Sequence, residues 1–208
     1  AYGGVKLILA SASPARLSLL RAAGFDPVVQ VSGVDESVVV STDPAELCLE
    51  LARLKAQAVA GTVGAVDGER VLLLGCDSVL AFDGEILGKP ADAAEATRRW
   101  QAMRGRSGVL HTGHHLIEVG GGSHAEGVGA TTVHFADVSD AEIAAYVGSG
   151  EPLYVAGAFT IDGLGGAFVD RIEGDHGNVV GLSLPLFRRL LATLGVQVQQ
   201  LWKQPAGR

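Results

Sequence analysis

A handful of charged side chains stand where chemistry on an anionic ligand would need them. Arg16 follows Ser11-Ala12-Ser13-Pro14-Ala15 in the first turn of a helical pattern, where the partial positive charge of a helix N-terminus disfavours a cation. Helical side chains lean back toward the N-terminus, so the guanidinium points into the space faced by Ser11, Ser13 and the unpaired backbone amides. That grouping reads as an anion site suited to phosphate; a capped helix with a solvated arginine is the alternative. Asp77 closes the apolar run Val71 to Cys76, and open α/β sheets bind ligands just beyond the carboxyl ends of their strands. A carboxylate there holds a metal or takes a proton from water, or else simply caps a turn. Asp35-Glu36 forms a second acidic pair near a strand end, offering hard oxygen ligands for Mg²⁺ or Mn²⁺, although adjacent loop acids are often only solvated. Lys55 and Lys89 add two cations able to neutralise a polyphosphate. Lys55 also fits the edge of an apolar helix face, and Lys89 a turn before Pro90.

Other constellations are weaker. His114 and His115 are adjacent on a strand pattern and point to opposite faces, with no cysteine nearby, which speaks against zinc. Gly163-Leu164-Gly165-Gly166 lacks the spacing of a dinucleotide fingerprint and reads as a tight turn. Arg104 and Arg106 fit a phosphate contact or a solvated helix end equally well. Ser18 and Ser183 lack the setting of a nucleophilic serine.

The elements that must position these groups follow from apolar periodicity. Val5 to Ala10 reads as a strand that enters a helix with Ser13 as cap, Pro14 in the first turn and Gly24 as stop. An extended stretch, Val28 to Val34, precedes a helix opening at Asp43-Pro44 with Leu47, Leu51, Leu54 and Ala58 on one stripe. Val71 to Cys76 reads as a strand covered on both faces, and Asp83-Gly84 as a hairpin turn leading to Gly88-Lys89-Pro90. A helix over Ala93 to Met103 follows, then extended segments Val109 to Val119 and Thr131 to Phe135. Ser139 and Glu142 make a capping box for a helix ending near Gly148. The last third holds a strand from Ala167 to Ile172, a loop ending at Asn178-Val179-Val180-Gly181, and a helix from Leu184 to Leu194. Strands and helices mix without strict alternation, which predicts an α/β fold with a mixed sheet flanked by helices rather than a doubly wound parallel one.

Composition bounds the partners. At 208 residues the chain suits one domain or two small lobes. Its formal net charge of -7 argues against a general nucleic-acid binder, which needs a basic face to displace counterions. No apolar run approaches the ~20 residues that span a bilayer. The N-terminal residues show no leader pattern, and Cys48 and Cys76 do not suggest a disulfide framework, so cytoplasm is the expected compartment.

With those residues in view, the chain resembles the Maf family of nucleoside triphosphate pyrophosphatases, whose fold is related to inosine triphosphatases. Ser11-Ala12-Ser13-Pro14-Ala15-Arg16 looks like the family's opening motif and Val34-Asp35-Glu36 like its acidic element. Leu51 to Ala56, Gly75-Cys76-Asp77-Ser78-Val79, Leu87-Gly88-Lys89-Pro90, Thr112-Gly113, Ala156-Gly157-Ala158-Phe159 and Asn178 to Leu182 follow in the family's order across nearly the whole chain. The resemblance implies a single domain over residues 1–208, with two lobes around one cleft, and a homodimer. It implies cleavage of a nucleoside triphosphate to the monophosphate and pyrophosphate with Mg²⁺ or Mn²⁺. Asp77 is then the base, Glu36 and Asp77 serve metal and water, and Ser13, Arg16, Lys55 and Lys89 serve the phosphates, with Ser11 beside them. A nucleotide-binding regulator of septum formation with little catalysis is the alternative. Ala15, Ser78 and Asp162 depart from the common subgroups at positions that choose the base, and Val155 and Gly108 replace a common lysine and histidine. An ionised Asp162 accepts but cannot donate, which predicts a base offering N–H groups and a preference unlike the thymidine and uridine type.

Overall fold

The computed structural model describes residues 4–64 and 68–203. Strand β1 (Val5–Leu9) leads into helix α1 (Pro14–Ala22), and the edge strand β2 (Val28–Val29) precedes helix α2 (Pro44–Ala60). The long strand β3 (Arg70–Phe82) turns into β4 (Glu85–Leu87), followed by α3 (Ala93–Met103), β5 (Ser107–Glu118) and β6 (His124–Phe135). Helix α4 (Asp140–Gly148), strand β7 (Val169–Glu173), and helices α5 (His176–Val180) and α6 (Leu184–Thr193) complete the order. The strands form one seven-stranded sheet, β2-β1-β3-β5-β6-β7, with β4 also paired to β3. β1 pairs parallel with β2 and β3, and the remaining pairs are antiparallel. This is the mixed sheet with flanking helices that the element pattern predicts.

Caps fix several helix ends where the residue types place them. Ser13 accepts from Arg16 N with Pro14 at the first helical position, Asp43 caps α2 by accepting from Ala45 N, and Ser139 with Glu142 closes a reciprocal capping box on α4. Asp83 and Gly84 both take positive φ, 52° and 77°, the mirror-image turn that matches the twist of a tight hairpin.

Four elements differ from the periodicity reading. β3 does not stop at Cys76 but runs on to Phe82, because its antiparallel ladder with β5 continues from Leu72↔Glu118 to Ala81↔Val109 and supplies backbone partners past the polar residues. β6 begins at His124 rather than Thr131. Glycines inside it are packing residues: a Cβ on Gly127 would sit 3.1 Å from Leu186, and one on Gly129 would overlap the Asn178 side chain. The stretch Val28 to Val34 supplies only two strand residues, since on that side it meets β1 alone at the sheet edge. Residues 176–180, read as loop, form a short helix capped by Asp175.

Alternation along β3 sorts its side chains onto two faces. One face carries Leu72, Leu74 and Cys76 into a cluster with Leu20 of α1 and Phe187, Leu190 and Leu191 of α6. Further along the same face, Leu80 and Phe82 join a second cluster with Trp100 and Met103 of α3 and Ile143, Tyr146 and Val147 of α4. Ser78 lies between the two, so a polar seam separates two apolar cores. The opposite face carries Val71 and Leu73 against Ala56 and Val59 of α2. Helix α2 sits unusually close to the sheet: a Cβ on Gly75 would lie 2.9 Å from the Ala56 methyl, and one on Gly113 would run into the Cys48 backbone.

Candidate active site

The edge of β3 that faces β1 changes neighbour partway along. Residues 70–74 pair with β1, Ala10 N adds a last bond to Leu74 O, and residues 80–82 pair with β4. Between them, Gly75 to Val79 have no strand on that edge among the described residues. Asp77 and Ser78 fall in this interval, on opposite faces of the sheet. The gap is a switch point of the kind where α/β sheets bind ligands, but it arises in mid-strand rather than at a strand end.

On the α2 face, the close seating of the helix brings Lys55 over Asp77. The Lys55 ammonium lies 2.8 Å from Asp77 Oδ1 and 2.8 Å from Glu36 Oε1. The side chains of Lys55 and Asp77 are largely buried, 16% and 12% exposed, while that of Glu36 is 53% exposed at the rim. Lys55 is therefore not a surface amine snorkelling from a helix edge. Burial pushes the Asp77 carboxyl above its ordinary value, even though Lys55 and then Arg16 pull the other way and Glu36 adds to the rise. Of the Asp35-Glu36 pair, only Glu36 reaches this cluster. Asp35 caps the turn Glu36–Val38, accepting from the backbone N and hydroxyl of Ser37.

On the other face, Arg16 is 8% exposed and spreads its guanidinium over three acceptors. Nε donates to Gly181 O at 2.6 Å, Nη1 to Ser11 Oγ at 3.1 Å and Nη2 to Ser78 Oγ at 3.0 Å. Ser78 Oγ is 2.8 Å from Thr112 Oγ1, which donates onward to Asn178 O at 3.0 Å. Ser11 Oγ also accepts from Ser13 N, and Ser13 Oγ from Arg16 N, so both serines shape the loop after β1. As acceptors in these bonds, each keeps its hydroxyl proton for a ligand. Ala15 is half-buried beside Arg16 in the same turn.

Two residues expected at the site stand apart. Lys89 is exposed and makes no ion pair or side-chain hydrogen bond among the described residues. It lies two residues past β4, whose last pair with β3 is Leu80↔Leu87. Asp162 is exposed in the loop after the turn Ala156–Ala158 and has no hydrogen-bond or ion-pair partner among the described residues. Arg104 and Arg106 pair with Asp140 and Asp83 at the surface, outside this region.

Three further groups support the site. Thr112 links the Ser78 strand to α5, and the Gly181 carbonyl anchors Arg16. His114 is fully buried, its Nε2 accepting from Ser183 N at 2.9 Å and its Nδ1 lying 3.0 Å from Thr112 O. A backbone amide only donates, so Nε2 carries the lone pair and Nδ1 the proton. Burial, and then the charge of Arg16, lower the pKa of this imidazole to about 4. Strand parity was the available signal: Thr112 and His114 alternate with Gly113, and Thr112 pairs directly with Ser78. Cys48 and Cys76 are both buried and free.

Comparison with known proteins identifies the family of the chain. Residues 6–194 match the family model described as Maf-like protein. A nucleoside triphosphate pyrophosphatase of Salinispora tropica is 65% identical over 200 residues, spanning 96% of this chain and 88% of that one. Proteins of the same name from Streptomyces coelicolor and Nocardia farcinica are 59% and 54% identical, covering 95% and 96% of this chain and 94% and 98% of their own. Among solved structures, a nucleoside-triphosphatase / dITP/XTP pyrophosphatase from Mycobacterium abscessus aligns at 16% identity and a TM-score of 0.38, over 64% of this chain and 74% of that one, a likeness too slight to carry weight. The family match rests on the sequence relatives and the matched span, and on those grounds the chain belongs to the Maf-like protein family.

Proposed function

We propose that this protein hydrolyses nucleoside triphosphates between the α and β phosphates, releasing the monophosphate and pyrophosphate. The activity is the one its relatives are named for. The observation that carries the reading here is the Lys55 ammonium held 2.8 Å from both Glu36 and Asp77 where β3 exchanges β1 for β4.

In this reading Asp77 is the general base that orients and deprotonates the attacking water. A carboxyl whose pKa burial has raised is a better proton acceptor than an ordinary aspartate. Lys55 holds Asp77 in place and lies near the phosphates. The hydroxyls of Ser11 and Ser13, the remaining N–H groups of Arg16, and Lys89 bind the polyphosphate, where positive charge offsets what gathers on the leaving pyrophosphate.

Glu36 and Asp77 suit a divalent cation. Their oxygens already converge on one positive centre, the Lys55 ammonium, and no cluster of three or more metal-ligating side chains occurs among the described residues. Mg²⁺ fits such a sparse set, because it keeps waters and takes phosphate oxygens rather than an all-protein cage. When bound there, Mg²⁺ or Mn²⁺ would polarise the phosphate and lower the pKa of bound water.

Base choice falls to Ala15, Ser78 and Asp162, with Asp162 accepting from N–H groups on the base edge. Ser78 acts at one remove, by steadying Arg16. The resemblance supports a homodimer, which sedimentation at micromolar concentration tests, and the free cysteines suit a reducing cytoplasm.

The test is product analysis with and without Mg²⁺. Pyrophosphate and monophosphate are expected, and Asp77→Asn should lose about 10²–10⁴-fold in kcat. Orthophosphate as the first product, or full activity in Asp77→Asn, would sink the reading. An Asp162→Gln variant that keeps the wild-type ranking of triphosphates would remove Asp162 from base choice.

A further inference from the structure

The loop that carries Asp162 is gripped by a carboxylate outside it. Glu151 opens the turn Glu151–Tyr154 and accepts from Leu164 N at 2.9 Å, Gly165 N at 3.3 Å, the Tyr146 hydroxyl at 3.1 Å and the Thr160 hydroxyl. The Tyr146 oxygen accepts in turn from Thr160 N at 3.1 Å. Tyr146 is itself 3% exposed and packed edge-on against Trp100 and Phe168. A Cβ on Gly163 would lie 2.8 Å from Glu151 Oε1, so a larger residue there would have to displace the carboxylate from the loop it holds. Burial by itself would raise the Glu151 pKa, and the bonds from Thr160, Leu164, Gly165 and Tyr146 hold it below the ordinary glutamate value. Asp162 sits between Thr160 and Leu164, both bonded to Glu151, and has no partner of its own among the described residues.

We propose that Glu151 is a positioning residue that fixes the Thr160–Gly165 segment, and with it Asp162, so that base selectivity depends on a carboxylate that never touches the substrate. The proposal rests on the reading of Asp162 as the base-edge acceptor. An acid confined to structural support elsewhere would stabilise the fold alone. One placed on both sides of Asp162 sets where that carboxylate stands, and a base-edge hydrogen bond tolerates little displacement.

The experiment measures kcat and KM for a panel of purine and pyrimidine triphosphates with the full chain, Glu151→Gln, Thr160→Val and Asp162→Asn. Glu151→Gln replaces one acceptor oxygen with a donor facing backbone N–H groups. The spread of kcat/KM between best and worst base should shrink by about tenfold, the worth of a well-placed hydrogen bond. The change should lie in KM, with kcat held within about twofold, since uniform binding is lost rather than transition-state contacts. Thr160→Val should shift the ranking in the same direction by less, and it carries the test if Glu151→Gln does not fold. A lower melting temperature with unchanged base ranking in Glu151→Gln, or in Thr160→Val where that variant stands in, overturns the proposal. If Asp162→Asn alters the ranking and Glu151→Gln does not, the reading of Asp162 stands and that of Glu151 falls. If Glu151→Gln alters it and Asp162→Asn does not, control of the loop by Glu151 stands and Asp162 is the wrong acceptor.

Discussion

Asp77 and Ser78 are neighbours in one strand, yet their two sides of the sheet are built on different principles. The Ser78 side joins neutral acceptors to one buried guanidinium: Ser11, Ser78 and the Gly181 carbonyl share Arg16, and Thr112 extends the chain to Asn178. It ties the loop after β1, the centre of β3 and the α5–α6 turn together, along the seam between the two apolar clusters. The Asp77 side holds two carboxylates around one ammonium, an arrangement that carries net negative charge and one raised pKa. The contrast separates a framework locked around one guanidinium, with N–H and O–H groups left over for a ligand, from a charge cluster that an added cation would complete.

Substitutions that cut one side and spare the other probe this division. The largest effect is expected for Lys55→Ala, which leaves two carboxylates facing each other without the ammonium. Activity should fall by about 10²–10³-fold, and stability by about 3 kcal/mol because Asp77 becomes an unpaired buried charge, as read from pyrophosphate release and denaturant melts. Arg16→Lys keeps the charge but cannot reach three acceptors in a fork. It should cost about 2 kcal/mol, and a variant as stable as the wild type would show that the Ser78 side is no framework. Thr112→Val, at a fully buried position, should cost about 1–2 kcal/mol for the orphaned Asn178 carbonyl, with kcat near wild type in the same assays.

Acid separates the two sides without mutation. His114 belongs to the framework, and its folded pKa of about 4 lies below the ordinary 6.5. The unfolded chain binds the proton first, so the stability from this residue is present above about pH 6.5 and drains as pH falls toward about 4. Urea midpoints measured across that window should decline, and His114→Gln should flatten the decline. Asp77 has the opposite displacement, so in the metal-free protein its carboxyl, followed by carbon-13 NMR, should titrate above the ordinary aspartate value of 3.8. A titration at or below that value would contradict Asp77 as a buried carboxyl.

Much of this was legible before any coordinates. Local chemistry gave the caps at Ser13, Asp43 and Ser139 and the turn at Asp83-Gly84, because each depends on residues a few positions apart. The charged residues Glu36, Lys55 and Asp77 could be chosen from their types and settings, but not their 2.8 Å distances, which depend on how closely α2 rests on the sheet. The extent of β3 was not readable, because pairing with β5 rather than the strand's own apolar pattern carries it past Asp77. Arg16 was legible as an out-of-place cation at a helix start, whereas its partner at Gly181 lies 165 residues away. Glu151 gave no signal, since its four donors come from α4 and from the Thr160–Gly165 segment, which only the fold brings together.

The seating of α2 has a further bearing on where this protein can change. Gly75 and Gly113 carry no charge and meet no proposed ligand, yet the missing methyls set the height at which Lys55 hangs above Asp77. A single carbon added at either position would act as a shim under the helix, lifting the amine from its carboxylate while every ionisable group stayed in place. The site's tolerance to substitution is therefore written partly in two residues that a search for reactive side chains would pass over.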